Sequence, residues 1–360
     1  MSKVTTVDAA AYTVPLPQPE ADGTFAWDAT TVVIARVHAA GEVGIGFTYG
    51  AVAGVDVITG VLAPRVVGRD AFDIPRAWRA MADALRNRGR PGVASTALAA
   101  VDAALWDLKA KLFGVPLVRL LGAARDGIEV YGSGGFVNLD DDVFADQLTG
   151  WLKDGITKVK MKIGVGAGAD VDEDVRRVRF ARSVVGDGVE LFVDANGAYD
   201  RKQAARQCRA FEDLGVTWFE EPVTSDDLES LGVLRDLTAI DITAGEYGYL
   251  LQYFAEMLRA VDVIQPDASR CSLSEWLRVA ALAAANSREV SAHCAPSLHA
   301  HPACAALNTR HIEYFADHTY VDPLLFDGVL TPVDGRLWPA LDRPGFGLEL
   351  RGDAEQYRVK

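Results

Sequence analysis

The stretch Glu190–Gly197, ELFVDANG, decides how this chain is read. Leu191, Phe192 and Val193 form a short apolar run of the kind found in buried strands. The run breaks off in Asp194, Ala195, Asn196 and Gly197. Alternation along a strand puts Asp194 and Asn196 on one face, so a carboxylate and an amide stand together where the strand leaves the core. An Asx-type turn closing the strand accounts for the same residues, and the stretch alone leaves both readings open.

Two later stretches repeat the pattern. Val216–Pro222, VTWFEEP, ends an apolar run in Glu220 and Glu221, and Ile242–Glu246, ITAGE, ends one in Glu246. Adjacent strand residues face opposite ways, so Glu220 and Glu221 cannot enter one pocket from an extended backbone. Carboxylates gathered at neighbouring strand ends repel one another unless a cation lies between them. An all-oxygen set without His or Cys favours a hard ion, Mg²⁺ before Mn²⁺ or Ca²⁺.

Working outward, strand-like runs recur at 129–132, 158–163, 191–193, 217–219, 242–244, 261–264, 290–292 and 311–315. Helical patterns alternate with them, as at 144–152, 172–185, 201–214, 228–234, 251–259 and 273–285. Eight such repeats predict an α/β chain with a (β/α)₈-type barrel, whose active site lies at the C-terminal strand ends. Before the barrel, strand-like Thr30–His38 and Gly44–Thr48 precede a helix over 95–113, an α+β unit reaching about Leu121. Gln18–Trp27 (QPEADGTFAW) reads as a turn-rich loop: either a surface loop with Phe25 and Trp27 tucked in, or a lid over the neighbouring domain. The Pro-containing tail, 328–360, is expected to fold back on the first unit.

The remaining strand ends also carry reactive groups. Lys158–Gly164, KVKMKIG, puts Lys160 and Lys162 on one face near the strand's end, with Lys158 lower on the same face. Beside a metal and each other, their ammonium forms are disfavoured and a pKa is expected to fall towards working pH, which suits a general base. IQPDA places Asp267 at the next strand end, and SAHCAPS places His293 at the one after. A His oriented by an Asp is a common acid/base pair. In HIEYF, Glu313 points opposite to its neighbours, and Ser291, Ser297 and His299 are expected near the barrel mouth.

Composition narrows the partners. With 50 acidic against 36 basic residues in 360, the net charge of −14 disfavours nucleic acid and anionic membrane surfaces. Cys208, Cys271, Cys294 and Cys304 show no C-x-x-C spacing and read as reduced thiols of a cytoplasmic protein. Neither a signal peptide nor a membrane span is expected. Gly164, Gly166 and Gly168 sit between strand and helix as in a dinucleotide loop, but Asp170, Asp172, Glu173 and Asp174 crowd the place a pyrophosphate would take.

K-x-K, D-x-N, W-F-E-E-P, A-G-E, P-D, S-A-H and I-E-Y-F, in that order and over essentially the whole chain, resemble the mandelate racemase subgroup of the enolase superfamily. The resemblance implies a modified TIM barrel, (β/α)₇β, over residues 127–325, a capping domain over 1–121 and a C-terminal segment over 326–360. It implies Mg²⁺ (or Mn²⁺) on Asp194, Glu220 and Glu246, and Lys162 as one base with Lys160 beside it. His293 with Asp267 would be the base on the opposite face. Asn196 and Glu313 would be polar contacts to substrate, and 18–27, with Trp27, the lid that helps select it. The implied chemistry is removal of a proton α to the carboxylate of a small acid through an ene-diolate. Dehydration of a sugar acid to its 2-keto-3-deoxy product is expected first, with racemisation, epimerisation or cycloisomerisation as the alternative. A homo-oligomer is also expected.

Overall fold

The first element of the computed structural model, which describes residues 2–360, is a strand that local pattern does not announce: β1 (Val4–Ala21). Its Pro15, Pro17 and Pro19 would be out of place in a central strand. β1 lies at the edge of the sheet β1-β2-β3, where missing N–H groups are tolerated. It pairs antiparallel with β2 (Ala26–Ala39), which continues into β3 (Glu42–Tyr49) through a two-residue turn at Ala40 and Gly41, both with positive φ. The segment 18–27 is therefore the end of a hairpin and not an irregular loop: Glu20 pairs with Trp27 and Ala21 with Ala26. Only its tip, Asp22–Phe25, is a turn, with Asp22 Oδ1 accepting from the backbone N–H groups of Thr24 and Phe25.

Of helices α1 (Ile74–Leu85) and α2 (Val93–Leu112), α2 covers this sheet and α1 packs against α2. In α2, Leu98, Val101, Leu105 and Leu108 recur at helical spacing and are buried. Each such side chain contributes about 1.5–3 kcal/mol. On its far side α2 meets the barrel, where Asp102 accepts from the Ser274 N–H at 2.8 Å and its hydroxyl at 2.7 Å.

Eight parallel strands follow: β4 (Ile128–Gly134), β5 (Lys158–Lys162), β6 (Glu190–Asp194), β7 (Val216–Glu220), β8 (Asp241–Ala244), β9 (Val263–Ile264), β10 (Glu289–Ala292) and β11 (Thr309–Phe315). Each pairs with the next, and β11 pairs with β4 through Ile312–Val130 to Phe315–Ser133, which closes the barrel. A helix lies in each of the seven connections between them. The last of these, Pro296–Ala305, is absent from the sequence pattern because it is buried almost all round and carries no polar stripe. The fold is α/β: a closed parallel barrel with an antiparallel capping sheet in front of it. The tail pairs Arg336–Leu337 with β4 at its start, and reaches the capping sheet where the Ala11 N–H donates to the Lys360 carbonyl. Among the described residues no helix is long and apolar enough to cross a membrane.

The hairpin tip rests on the barrel. Backbone N–H groups of Val137 and Ala167 donate to the carbonyls of Ala21 and Gly23. A Cβ on Gly23 would lie 2.5 Å from the Gly164 carbonyl oxygen, so this approach requires glycine.

Candidate active site

Strand register sets the site. Lys162, Asp194, Glu220 and Thr243 are consecutive partners across β5 to β8, which brings the first three to one level at the strand ends. Glu246 reaches them from two residues past β8 through Gly245, whose φ is 140° and whose Cβ would stand 2.8 Å from the Gln265 nitrogen. Oxygens of Asp194, Glu220 and Glu246 then lie within 4.8 Å of one another, all three buried. Glu221 takes a positive φ of 40° and turns away, its buried Oε1 unpartnered, onto a neighbouring cleft shared with Asn196 and Tyr247.

Glu220 is held from below: its Oε2 accepts from Trp218 Nε1 at 3.1 Å and Gln265 Nε2 at 2.7 Å. Lys160, with no exposed surface, lies beneath the cage, 2.6 Å from Glu220 Oε1, 2.8 Å from Glu313 Oε1 and 3.5 Å from Asp194 Oδ2. Lys162 reaches Asp194 Oδ2 at 2.5 Å and lines the cavity above. Burial pulls both lysines' pKa values down. Facing carboxylates, Glu220 first for Lys160 and Asp194 first for Lys162, outweigh that and hold both above the ordinary lysine range. These directions hold for the site without a cation, whereas the lowered lysine pKa expected from sequence presupposes one among the acids. Glu220 moves the other way, upward, through burial and the like charges of Asp194, Glu313 and Glu246.

Across the cavity, His293 lies just past β10. Its Nδ1 is 3.0 Å from Asp267 Oδ2, while its Nε2 is 3.4 Å from Glu246 Oε2 and 3.3 Å from Cys294 Sγ. Burial lowers the His293 pKa, but Glu246, Glu313 and Asp267 raise it by more. Asp267 bonds also to the Ser269 N–H, and its pKa is depressed, the His293 contacts overcoming burial. Cys294 and Ala295 both have positive φ, and this tight turn aims the Cys294 N–H at Glu313 Oε2, 3.0 Å away. Glu313 also accepts from Ser133 Oγ. His293, Cys294 and Glu313 form a second cluster of potential ligands, but burial and Glu313 hold the Cys294 thiol protonated and so a poor ligand.

The buried acids Asp194, Glu220, Glu246, Asp267 and Glu313 face three permanent cations, Lys160, Lys162 and Arg270. That excess of negative charge, converging in oxygen ligands, suits a divalent hard cation.

Of the residues singled out in the sequence, Lys162, Asn196, Glu246, Asp267, His293, Glu313 and Trp27 line one cavity of about 540 Å³ between barrel and hairpin. Asn196 does so from a left-handed conformation, its N–H on Asp194 Oδ1. Asp194, Glu220 and Lys160 are not part of its lining. Ser291, Ser297 and His299 do not reach it: they bond His311, the Leu330 N–H and the Ala268 N–H within the structure. The glycine turn at 164–168 holds no phosphate cradle, because Asp174 Oδ1 already accepts from the N–H groups of Gly164 and Val165.

Sequence pattern missed Arg270, whose guanidinium bonds the Glu246 carbonyl at 3.0 Å and lies 3.5 Å from both Glu246 and Asp267 carboxylates. It also missed Thr30, Tyr49, Asp317 and His318, which meet at the cavity wall only through the docking of two domains. Trp218 could have been found, since it lies two residues before Glu220 and so shares its face.

A capped parallel barrel with acids and bases converging at its C-terminal strand ends is the architecture of a barrel enzyme. Residues 143–354 match the enolase C-terminal domain-like family, and residues 4–122 match the mandelate racemase / muconate lactonizing enzyme N-terminal domain. The chain belongs to this family, the mandelate racemase subgroup of the enolase superfamily. It is 34% identical to L-talarate/galactarate dehydratase of Salmonella typhimurium LT2, over 91% of this chain and 82% of that one. A crystal structure of that dehydratase liganded with Mg and L-lyxarohydroxamate superposes with a TM-score of 0.91 at 31% identity, covering all of this chain and 93% of the other. Identity is 31% to 3,6-anhydro-alpha-L-galactonate cycloisomerase of Streptomyces coelicolor, over 94% of each chain. A mandelate racemase/muconate lactonizing enzyme-like protein from Rubrobacter xylanophilus has a TM-score of 0.96 at 44% identity, covering 99% of this chain and all of that one.

Proposed function

We propose that this enzyme dehydrates a sugar acid to its 2-keto-3-deoxy product, with Mg²⁺ held by Asp194, Glu220 and Glu246. The observation that carries this reading is the pair of proton-transfer groups, Lys162 on β5 and His293 past β10, on the wall of one cavity beside the carboxylate cage. When bound, the cation neutralises charge that develops on the substrate carboxylate. Lys162 lies at the cavity floor, positioned to take the α-proton once Asp194 no longer holds its ammonium. Asp267 fixes the His293 ring through Nδ1, leaving Nε2 to face the substrate. The C–H pair becomes the new double bond, the β-hydroxyl leaves with a proton from His293, and the enol tautomerises to the keto acid. Lys160 compensates the charge of Glu220 and Glu313 beneath the cage. Asn196 and Glu313 contribute polar contacts at the wall, and the docked hairpin, with Trp27, covers the reaction from water.

The same two groups on opposing walls serve epimerisation or cycloisomerisation, so the products decide. Sugar acids incubated with the Mg²⁺-loaded protein are expected to give a keto product trapped by semicarbazide. In D₂O, Lys162→Ala and His293→Asn are each expected to abolish exchange of the α-proton of one epimer while sparing the other. Epimers or lactone isomers without keto product would make the enzyme an isomerase.

A further inference from the structure

We propose that the far wall of the cavity is a hydroxyl-recognition subsite centred on Asp317, and that the enzyme takes a polyhydroxylated monocarboxylic acid and rejects diacids. This rests on the reading that the acid's carboxylate occupies the cage end of the cavity.

Asp317 follows β11 by two residues and is buried, 4% exposed, on the cavity wall. Its Oδ2 is fully engaged, accepting from Trp27 Nε1 at 3.0 Å and Thr30 Oγ1 at 2.5 Å, both from the capping domain. Its Oδ1 is buried with no partner. A buried carboxylate oxygen without a donor is costly, and a substrate hydroxyl supplies one. Next to it stands His318, also on the wall, whose ring stacks on Tyr49 with centroids 3.4 Å apart. His318 Nδ1 accepts from the Ala295 N–H. Burial and the nearby His293 push its pKa down to about 3, so the ring is neutral and its proton resides on Nε2. An acceptor beside a donor matches a hydroxyl, which needs both.

A second carboxylate finds no partner here. The cations on the cavity wall, Lys162 and Arg270, are committed to Asp194, Glu246 and Asp267. The far wall carries Asp22 and Asp317 with Glu20 behind them. Burial and Asp317 push the Glu20 carboxyl up to about 8, so at neutral pH it is protonated and gives a second carboxylate no cation to pair with.

The test compares kcat/KM and α-proton exchange in D₂O for aldonic acids, aldaric acids of the same configuration, and aldonic acids lacking hydroxyls beyond the β-carbon. The wild-type enzyme is expected to favour the hydroxylated monoacid over each of the others by about 10²-fold. In Asp317→Asn both preferences are expected to shrink by about tenfold, because the free oxygen and its charge are lost together. Diacids used as well as monoacids, or deoxy acids used as well as hydroxylated ones, would overturn the subsite, and these wild-type comparisons decide even if the variant does not fold. Exchange with no acid of any class is a separate result that overturns the proposed chemistry and this inference with it.

Discussion

Two layers of the barrel interior, one alternation apart on the same strands, have opposite chemistry. The lower layer holds Tyr131, Phe192, Trp218 and Val263 around His311, packed ring against ring. Two residues further along, the same strands carry Ser133, Asp194, Glu220 and Glu313. The lower layer is a packed aromatic plug whose His311 is kept neutral by burial and by the cations around it. The upper layer gathers ionised groups that only function justifies, since buried like charges destabilise the fold. The contrast teaches that strand alternation supplies direction only, and that position along the strand determines whether an inward residue stabilises or reacts.

Sharp separation of roles is therefore the expectation. Asp194→Asn should reduce kcat by about 10³-fold or more and weaken Mg²⁺ binding, with the circular dichroism spectrum unchanged. Full turnover by that variant would show that the upper layer is not the reactive one. Two residues below Glu220, Trp218→Ala should cost the fold about 3–5 kcal/mol in urea denaturation and remove the bond to Glu220 as well. Trp218→Phe tests one link between the layers, the Nε1–H bond to Glu220. It should lower Mg²⁺ affinity by about 10–100-fold, as loss of a ligand's supporting hydrogen bond does, while stability falls by only about 1–2 kcal/mol. Affinity unchanged in calorimetry would mean that Gln265 and Lys160 suffice to orient Glu220.

Asp194, Glu220, Asp267 and His293 were legible in the sequence because each follows a short strand-like run: ELFVD, VTWFE, IQPD, SAH. Parity and strand order were enough to bring those ends together. What stayed hidden depends on long-range packing. The partners of Asp317 lie 287 and 290 residues away in the capping domain, and nothing in FADH marks it. The β1 strand was hidden by prolines that only its edge position excuses, and the helix Pro296–Ala305 by burial all round, which erases periodicity. The charge state of the lysines depends on another feature: without a cation their nearest charges are the cage acids themselves, a matter of ångströms that spacing does not encode.

The finest test of the layer rule lies on one strand, where Lys158, Lys160 and Lys162 share a face and differ only in height. Lys162 meets the cavity, Lys160 supports the cage, and Lys158 sits at the lower rim, 3.2 Å from both Glu129 and Glu190. If height decides, Lys158 is a rim charge and nothing more. Lys158→Gln should then leave kcat/KM within about twofold and cost about 0.2–1 kcal/mol, the range of a partly exposed ion pair. The pH dependence follows from the direction of its shift. Burial lowers the Lys158 pKa, but Glu190 and Glu129 raise it by more, so the folded value lies above the ordinary 10.5. A raised lysine pKa stabilises the fold fully below the unfolded value, and that contribution disappears as pH rises through the folded one. The difference in melting temperature between wild type and Lys158→Gln should therefore be constant from pH 6 to about 9 and close only above about 10.5. A fall in turnover comparable to that of the Lys162 variant would instead mean that charge anywhere on this face reaches the reaction, and the separation between layers would fail.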